Sequence, residues 1–539
     1  MKTGPMEKSF RVSMWNLSIQ DKNCGETREW RWICLLQLFF FLTALIGLDS
    51  PLVSADNGRQ NHTFDLARHV YREGWSAVVQ PKTSFSMEEN LAQPFTVVHL
   101  EFPFHGLLGY PAAVLLKNHD YAIARLVSII FVLISFRFGY AVFRHWLPPQ
   151  AALIGITLWA TAPLVLHFGQ VPMPDVLATT GMIAAFACSL RGTWISSSLW
   201  FAFALLAKSS SIVFGLPILM ALLVVKESLS FPKFPGLAVA WGFVPLLSLV
   251  GWLALGRGSP PGSWTIWSMY EDGTYAGLTD FAVFDQYLHF LEYLVPVGCG
   301  ILGILGLAFA FHKNAPRMDR WIGGAIFLAI LSCYLGESRM MWREPQYTLP
   351  VLFWLILAVS FGIPPLLEKM RVSRLWRIGV IAVLVVQIVS VSSAIFFLKS
   401  SRVSNWNDLQ AAAGLLPPNA RVVVVSSIYL GTSSSVWLDR NVFEIDFRAT
   451  KRSFPGEDLQ ALAELKRNLG NLEAAGFRYL MVFDYRIYTN KTKAGYATYF
   501  TLPSSPLRHF CDDRFDKLFE GNHVLLYALQ DSKPSKSQQ

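Results

Sequence analysis

Charge is what this sequence has least of. Asp, Glu, Lys and Arg make up 15% of its 539 residues, against about 25% in soluble domains, so most of the chain cannot be built to face water. Cysteine is sparse as well. The six (Cys24, Cys34, Cys188, Cys299, Cys333 and Cys511) are scattered, four of them inside apolar runs, which excludes a disulfide framework and a metal-ligand spacing. No internal repeat is visible, although many transporter folds are built from one. The last 140 or so residues contain no Gly-rich phosphate loop, nucleophile elbow or metal spacing. The formal charge of +9 fits basic loops facing an anionic membrane leaflet better than a nucleic-acid partner.

What the sequence has in abundance is apolar length. A basic N-terminal segment, residues 1–31, precedes the run Trp32–Leu48, which is long enough for a minimal span and lacks a following cleavage site. Further runs recur at 121–143, 150–168, 175–190, 194–207, 210–226, 236–256, 287–311, 320–337, 347–366 and 376–398. Residues 102–116 are also apolar but carry Pro103, His105, Gly106, Gly109 and Pro111. Loop charge decides whether they cross. If they do not, Arg144, Arg191, Lys226 with Lys233, Lys313 with Arg317 and Arg320, and the cluster Lys369, Arg371, Arg374 and Arg377 all lie on the cytoplasmic side, as the positive-inside rule requires. The expectation is a polytopic α-helical membrane protein of about eleven transmembrane helices, occupying 32–399, with 102–116 as a juxtamembrane or re-entrant helix.

An odd number of spans puts the N-terminus in the cytoplasm and residues 400–529 outside. That segment reads as an extracytoplasmic α/β domain, a lid, acceptor platform or stabilising unit. Strands are expected at 421–425, 442–447, 479–483 and 524–529, with an amphipathic helix at 457–475. The strand–helix–strand order from 442 to 483 suits a parallel pair with a crossover helix. Residues 530–539 read as a disordered tail.

The chemistry gathers in the first outer loop, 49–120. Its stretch from Asp49 to about Pro103 holds Asp56, Arg59, Gln60, Asp65, Arg68, Glu88, Glu89, His99 and Glu101, a density of polar side chains unmatched over the following three hundred residues. The same topology sends His167, Gln170, Asp175, Lys208, Glu271, Asp272, Asp280, Asp285, Glu337, Arg339, Arg343, Glu344 and Tyr347 to that side. Asp175, behind Pro172 and Pro174, sits at a helix start, where it could be an ordinary cap. Lys208, followed by three serines, could snorkel or hold a phosphate at a helix start. Asn61-His-Thr63 and Asn490-Lys-Thr492 are glycosylation triplets of the kind that arise by chance. Trp264, Trp267, Tyr270 and Tyr275 mark an interfacial segment or border a lipid groove.

The ordered set Arg59-Gln60, Ala67-Arg68, Gly74, Glu101-Phe102-Pro103, Ala124-Arg125-Leu126, Pro172-Met173-Pro174-Asp175, Leu206-Ala207-Lys208 and Gln346-Tyr347-Thr348-Leu349-Pro350 resembles the GT-C-type integral membrane glycosyltransferases. That group includes the protein mannosyltransferases and the lipid A aminoarabinose transferase. The nearest likeness is to a bacterial branch whose first loop reads Trp-Arg-Gln, and it covers roughly 32–366. The resemblance implies a bacterial inner (plasma) membrane enzyme that takes a sugar from a polyprenyl-phosphate carrier and passes it to a glycan, lipid or protein acceptor, using an acid of the first loop, here Asp56. Gly58 stands where the branch has Trp, which leaves Asp65 and Glu101 as alternative acids.

The residues suit that chemistry. A sugar leaving a phosphate passes through an oxocarbenium-like centre, so a carboxylate must take the acceptor's proton and fixed positive charge must hold the leaving phosphodiester. Asp56 is the expected base, with Asp175 or Glu101 orienting the acceptor or a divalent cation. Arg59, Gln60, Lys208, Arg339, Arg343 and Tyr347 are the expected substrate contacts. No spacing demands a metal, though Asp56 and Asp175 could hold one. Two other classes remain open on sequence: a multi-span transporter or flippase of an anionic or lipid-linked substrate, and a non-catalytic scaffold for envelope glycan assembly.

Overall fold

The computed structural model describes residues 24–45, 57–85, 95–117, 121–225, 233–259, 349–361, 406–426, 438–445, 457–483, 503–521 and 524–529. Short pieces at 264–265, 324–328 and 500–501 and single positions at 48, 91 and 363 are also described. The runs expected at 287–311 and 376–398, most of that at 320–337, and the tail lie outside the described residues.

The apolar runs form a helical bundle: α1 (Cys24–Leu45), α5 (Tyr121–Trp146), α6 (Pro149–Ala160), α7 (Pro163–Phe168), α8 (Pro174–Leu190), α9 (Trp194–Ala207), α10 (Gly215–Val225), α11 (Lys233–Arg257) and α12 (Leu349–Phe361). Every residue of α8 is buried. Its small Ala, Gly, Thr and Ser side chains let α5, α9 and α10 approach its axis closely. The run expected at 150–168 is two helices. Pro163 holds Ala162 in an extended conformation (φ −61°, ψ 130°), because a residue before proline is pushed out of the α region.

Among the described residues, α5 and the Ala238–Arg257 part of α11 are long and apolar enough to cross a membrane, and six further apolar helical stretches of 10–17 residues accompany them. Leu35, Leu38 and Leu42 of α1, Ile195 and Leu199 of α9, and Val239, Phe243, Leu246, Leu247 and Val250 of α11 are exposed. Such an apolar exterior suits lipid rather than water.

Three elements of the first loop pack over one end of this bundle: α2 (Asn57–Glu73), α3 (Trp75–Val79) and α4 (Phe104–Leu116). At 13 residues, α4 is about 20 Å long, as short as several helices of the bundle. It lies tightly on α2 through Gly106 and Gly109. A Cβ on Gly106 would fall 2.7 Å from Val70 Cβ, and one on Gly109 would fall 2.4 Å from the Tyr71 hydroxyl. The loop also contains β1 (Lys82–Thr83) and β2 (Thr96–His99), and β2 pairs in parallel with β3 (Trp264–Thr265), which follows α11. Trp264 therefore belongs to a strand that ties two loops together.

Residues 406–529 form a five-stranded mixed sheet in the order β5-β4-β6-β8-β7. The strands are β4 (Arg421–Ser426), β5 (Asn441–Glu444), β6 (Tyr479–Phe483), β7 (Asp516–Glu520) and β8 (Val524–Ala528). β5 and β6 are parallel, but β4 lies between them. Its four consecutive valines are fully buried, as a central strand covered on both faces requires. Val423 and Val425 pack under α14 (Glu457–Ala474) and α15 (Pro506–Arg514), while Val422 and Val424 pack on α13 (Trp406–Gly414). The elements α13 and α15, of nine residues each, and β7 were not expected; β7 is a largely exposed edge strand.

The sheet's other edge is not free. The Val442 N–H donates to the Ser84 carbonyl (3.0 Å), and Phe85 bridges Val442 in parallel. The first loop thus extends the C-terminal sheet, covering an edge that would otherwise expose unpaired backbone groups.

Candidate active site

Helix α2 is polar in sequence and buried in place. Gln60, Asn61, His62, Thr63, Asp65 and Arg68 are all buried, and buried polar groups need partners. Burial of Asn61 also removes the first glycosylation triplet from reach; Asn490 is outside the described residues. Asp65 has its partners. Oδ1 accepts from Arg68 Nη2 at 2.5 Å, and Oδ2 accepts from Thr83 Oγ1 (2.7 Å) and the Ser84 N–H (2.6 Å). Burial alone would raise its pKa, but Arg68, His69 and these hydrogen bonds outweigh it, so the carboxyl is held below its ordinary range. With both oxygens occupied, Asp65 is a structural anchor and a poor substitute for a working acid.

The Phe102 N–H donates to the Leu206 carbonyl (3.0 Å), a backbone bond between the loop and α9. This brings the partly buried Glu101 to the end of α9, two residues from where Lys208 breaks out of the helix with an extended backbone (φ −156°, ψ 113°). Lys208 does not snorkel: it is 6% exposed and its ammonium forms a salt bridge with Asp175 Oδ1. Asp175 sits in the first turn of α8 and makes no side-chain cap bond. Its capping reading therefore gives way to an ion pair. The other oxygen, Asp175 Oδ2, is buried without a hydrogen-bond partner. A buried carboxylate with one unpartnered oxygen is costly unless a ligand or reacting group uses it.

Two further buried polar side chains belong to the first loop and to α5. His99, at the end of β2, is 4% exposed with Nδ1 unpartnered. Burial pushes its imidazole down, toward the neutral form, and its ring lies 5.1 Å from that of Trp252 on α11. Arg125 of α5 is fully buried and donates to the Gln170 backbone carbonyl (2.7 Å) and to Gln170 Oε1 (3.1 Å). This fixes the segment between α7 and α8 that leads into Asp175. The Tyr121 hydroxyl donates to Gln60 Oε1 (3.4 Å), linking α5 to the start of α2.

Of the residues singled out in the sequence, the structure brings Asp175 and Lys208 together, places Glu101 next to the Phe102–Leu206 bond at the end of α9, and buries Gln60 against Tyr121. Arg59 lies on the first turn of α2, described in its backbone only. Asp56 immediately precedes α2 and lies outside the described residues, as do Arg339, Arg343 and Tyr347. His99 and Arg125 stood in quoted stretches but not among the expected site residues; a charged or imidazole side chain in an apolar or β-branched setting was the available signal. Among the described residues no three His, Cys, Asp or Glu side chains gather as a metal site would need.

Residues 112–252 match the family described as dolichyl-phosphate-mannose-protein mannosyltransferase. No curated protein matches the chain by sequence. In fold, the chain is similar to ArnT from Cupriavidus metallidurans, solved bound to undecaprenyl phosphate. The two share 14% identity and a TM-score of 0.62, covering 94% of this chain and 99% of that one. It is also similar to the oligosaccharyltransferase AglB from Archaeoglobus fulgidus, solved with an inhibitory peptide and a dolichol-phosphate, at 10% identity and a TM-score of 0.55, covering 85% of this chain and 69% of that one. The chain thus resembles the GT-C-type membrane glycosyltransferases in fold as well as in motifs.

Proposed function

We propose that this protein is a membrane glycosyltransferase that moves a hexosyl or pentosyl unit from a polyprenyl-phosphate carrier to a glycan, lipid or protein acceptor on the outer face of a bacterial inner membrane. The observation that carries the reading is the buried Asp175–Lys208 pair with its unused carboxylate oxygen. It lies at the end of the bundle where the first loop meets α9, in a fold that matches the undecaprenyl-phosphate-bound enzyme almost end to end.

In this reading the acceptor hydroxyl attacks the anomeric carbon as the carbon–phosphate-oxygen bond breaks, and the carrier leaves as its phosphate. Asp56, at the entry to α2, takes the acceptor's proton. Asp175 and Glu101 orient the acceptor, or hold a divalent cation if one takes part. Arg59, Lys208, Arg339 and Arg343 neutralise the leaving phosphate, and Gln60 and Tyr347 complete the substrate contacts. Lys208 is the basic group of this set whose placement is described, and pairing with Asp175 orients it before any phosphate arrives. Such preorganised charge is effective in a site that excludes water.

The test is transfer of a labelled sugar from a polyprenyl-phosphate donor by the purified protein. Asp56→Asn and Asp175→Asn should each abolish transfer while the protein still elutes as folded. Full transfer by both variants would overturn the site.

A further inference from the structure

We infer that Asp439, in the C-terminal sheet domain, is a positioning residue for the first-loop helix α2; the catalytic consequence rests on the glycosyltransferase reading above. Three sets of contacts join these distant parts. Arg68 of α2, buried and already bonded to Asp65, also donates through Nη1 to Asp439 Oδ1. Arg72, one turn further along the same face, donates through Nη2 to both oxygens of Asp439 at 2.9 and 3.0 Å. Beside them, the Ser84 carbonyl accepts from the Val442 N–H and from Asn441 Nδ2, each at 3.0 Å. A third tie runs from Arg421 of β4 to the Leu91 carbonyl.

Asp439 is set up for this task at a local cost. It lies in the turn before β5 with φ +51°, in the left-handed region that side chains other than Gly, Asn and Asp rarely enter. The turn aims one carboxylate at two guanidinium groups on successive turns of one helix, a geometry that fixes both the rotation and the axial register of α2. The start of that helix carries Arg59 and Gln60 and follows Asp56 directly. Arg59 and Arg68 are nine positions apart, so about 13 Å of helix transmits a shift at Arg68 to the start of α2, with its proposed substrate contacts Arg59 and Gln60. Displacement of about 1 Å can cost on the order of 100-fold in rate. The sheet domain is thereby more than a cover: it sets where the start of α2 stands.

The experiment uses the full chain in detergent micelles. Asp439→Asn tolerates the left-handed backbone and removes only the charge; Arg72→Gln removes the more exposed arm and leaves the Arg68 contact. The expected results are faster hydrogen exchange across 57–73 with unchanged exchange across 421–426. For sugar transfer, kcat should fall between about 10- and 100-fold for Asp439→Asn and less for Arg72→Gln, with the KM for the polyprenyl-phosphate donor within about two-fold of wild type on the uniform-binding criterion. Unchanged exchange across 57–73 in Asp439→Asn overturns the clamp. Faster exchange in both α2 and the sheet, with activity falling only as folded protein is lost, also overturns it by reducing Asp439 to a stabilising residue. Wild-type protein that transfers no lipid-linked sugar would fail the enzyme reading instead, and the exchange measurement would still decide the clamp.

Discussion

Two buried carboxylates, Asp65 in the first loop and Asp175 in the bundle, each sit against a basic side chain, and they differ in how their oxygens are used. Asp65 spends both on the protein: Arg68, Thr83 and Ser84 fill them. Asp175 spends one on Lys208 and leaves the other buried and unpartnered. Burial and charge pairing alone would rank them as equals. Completeness of hydrogen bonding separates them, since folding favours a closed network and a site must keep a vacancy for what it acts on.

The largest expected effect breaks the closed network. Asp65→Ala leaves the Thr83 hydroxyl, the Ser84 N–H and one arm of Arg68 buried without their acceptor, while Asp439 keeps the other arm, and should destabilise the protein by about 3–5 kcal/mol, read as a fall in the thermal midpoint in detergent, with loss of protection across 57–85. Lys208→Met comes next, because it strands Asp175. A drop of about 3 kcal/mol is expected, and adding Asp175→Asn should recover most of the stability without recovering transfer. If the double variant were as unstable as the single one, Asp175 would be another Asp65 and the contrast would fail. Gly109→Ala should cost about 1–3 kcal/mol by driving a methyl into Tyr71, separating α4 from α2 while leaving the Asp175–Lys208 pair intact; chemical denaturation would measure it.

The smallest effect is a pH dependence at the loop's rim. Glu73 accepts a hydrogen bond from His69 and another from Lys82, which hold its pKa at about 2 against an ordinary 4.5. A depressed carboxyl pKa stabilises the folded state above its unfolded value, so this contribution should be complete above pH 4.5 and lost as pH falls toward about 2. In Glu73→Gln, the slope of the thermal midpoint over that window should be shallower than in wild type.

Much of this arrangement is legible in the sequence alone. Long apolar runs with basic loops located the bundle helices α5, α8, α9 and α11 within a few residues, because hydrophobic length is a local property. The valine run of β4 and the amphipathic α14 announced themselves in the same way. Asp175 and Lys208 were each singled out, yet their pairing was not legible, since 33 positions and a helix reversal separate them and either residue alone has an ordinary surface explanation. The position of β4 between β5 and β6 was missed because strand order depends on which strand needs cover on both faces. Least legible was the role of Asp65. Its partners Thr83 and Ser84 are common residues in an unremarkable stretch, and only the return of the chain onto α2 makes them ligands of a carboxylate.

The contact between Arg68 and Asp439 spans 371 positions of the chain, and it bears on how the protein is made. Chains emerge from the ribosome N-terminal end first, so α2 is synthesised long before its partner exists. Until β5 arrives, the Ser84–Phe85 edge has no strand to join and Arg68 and Arg72 have no Asp439 to meet. The first loop therefore matures last, although it is translated early. A chain truncated anywhere before residue 439 would insert its helices and still lack the clamp that completes its site.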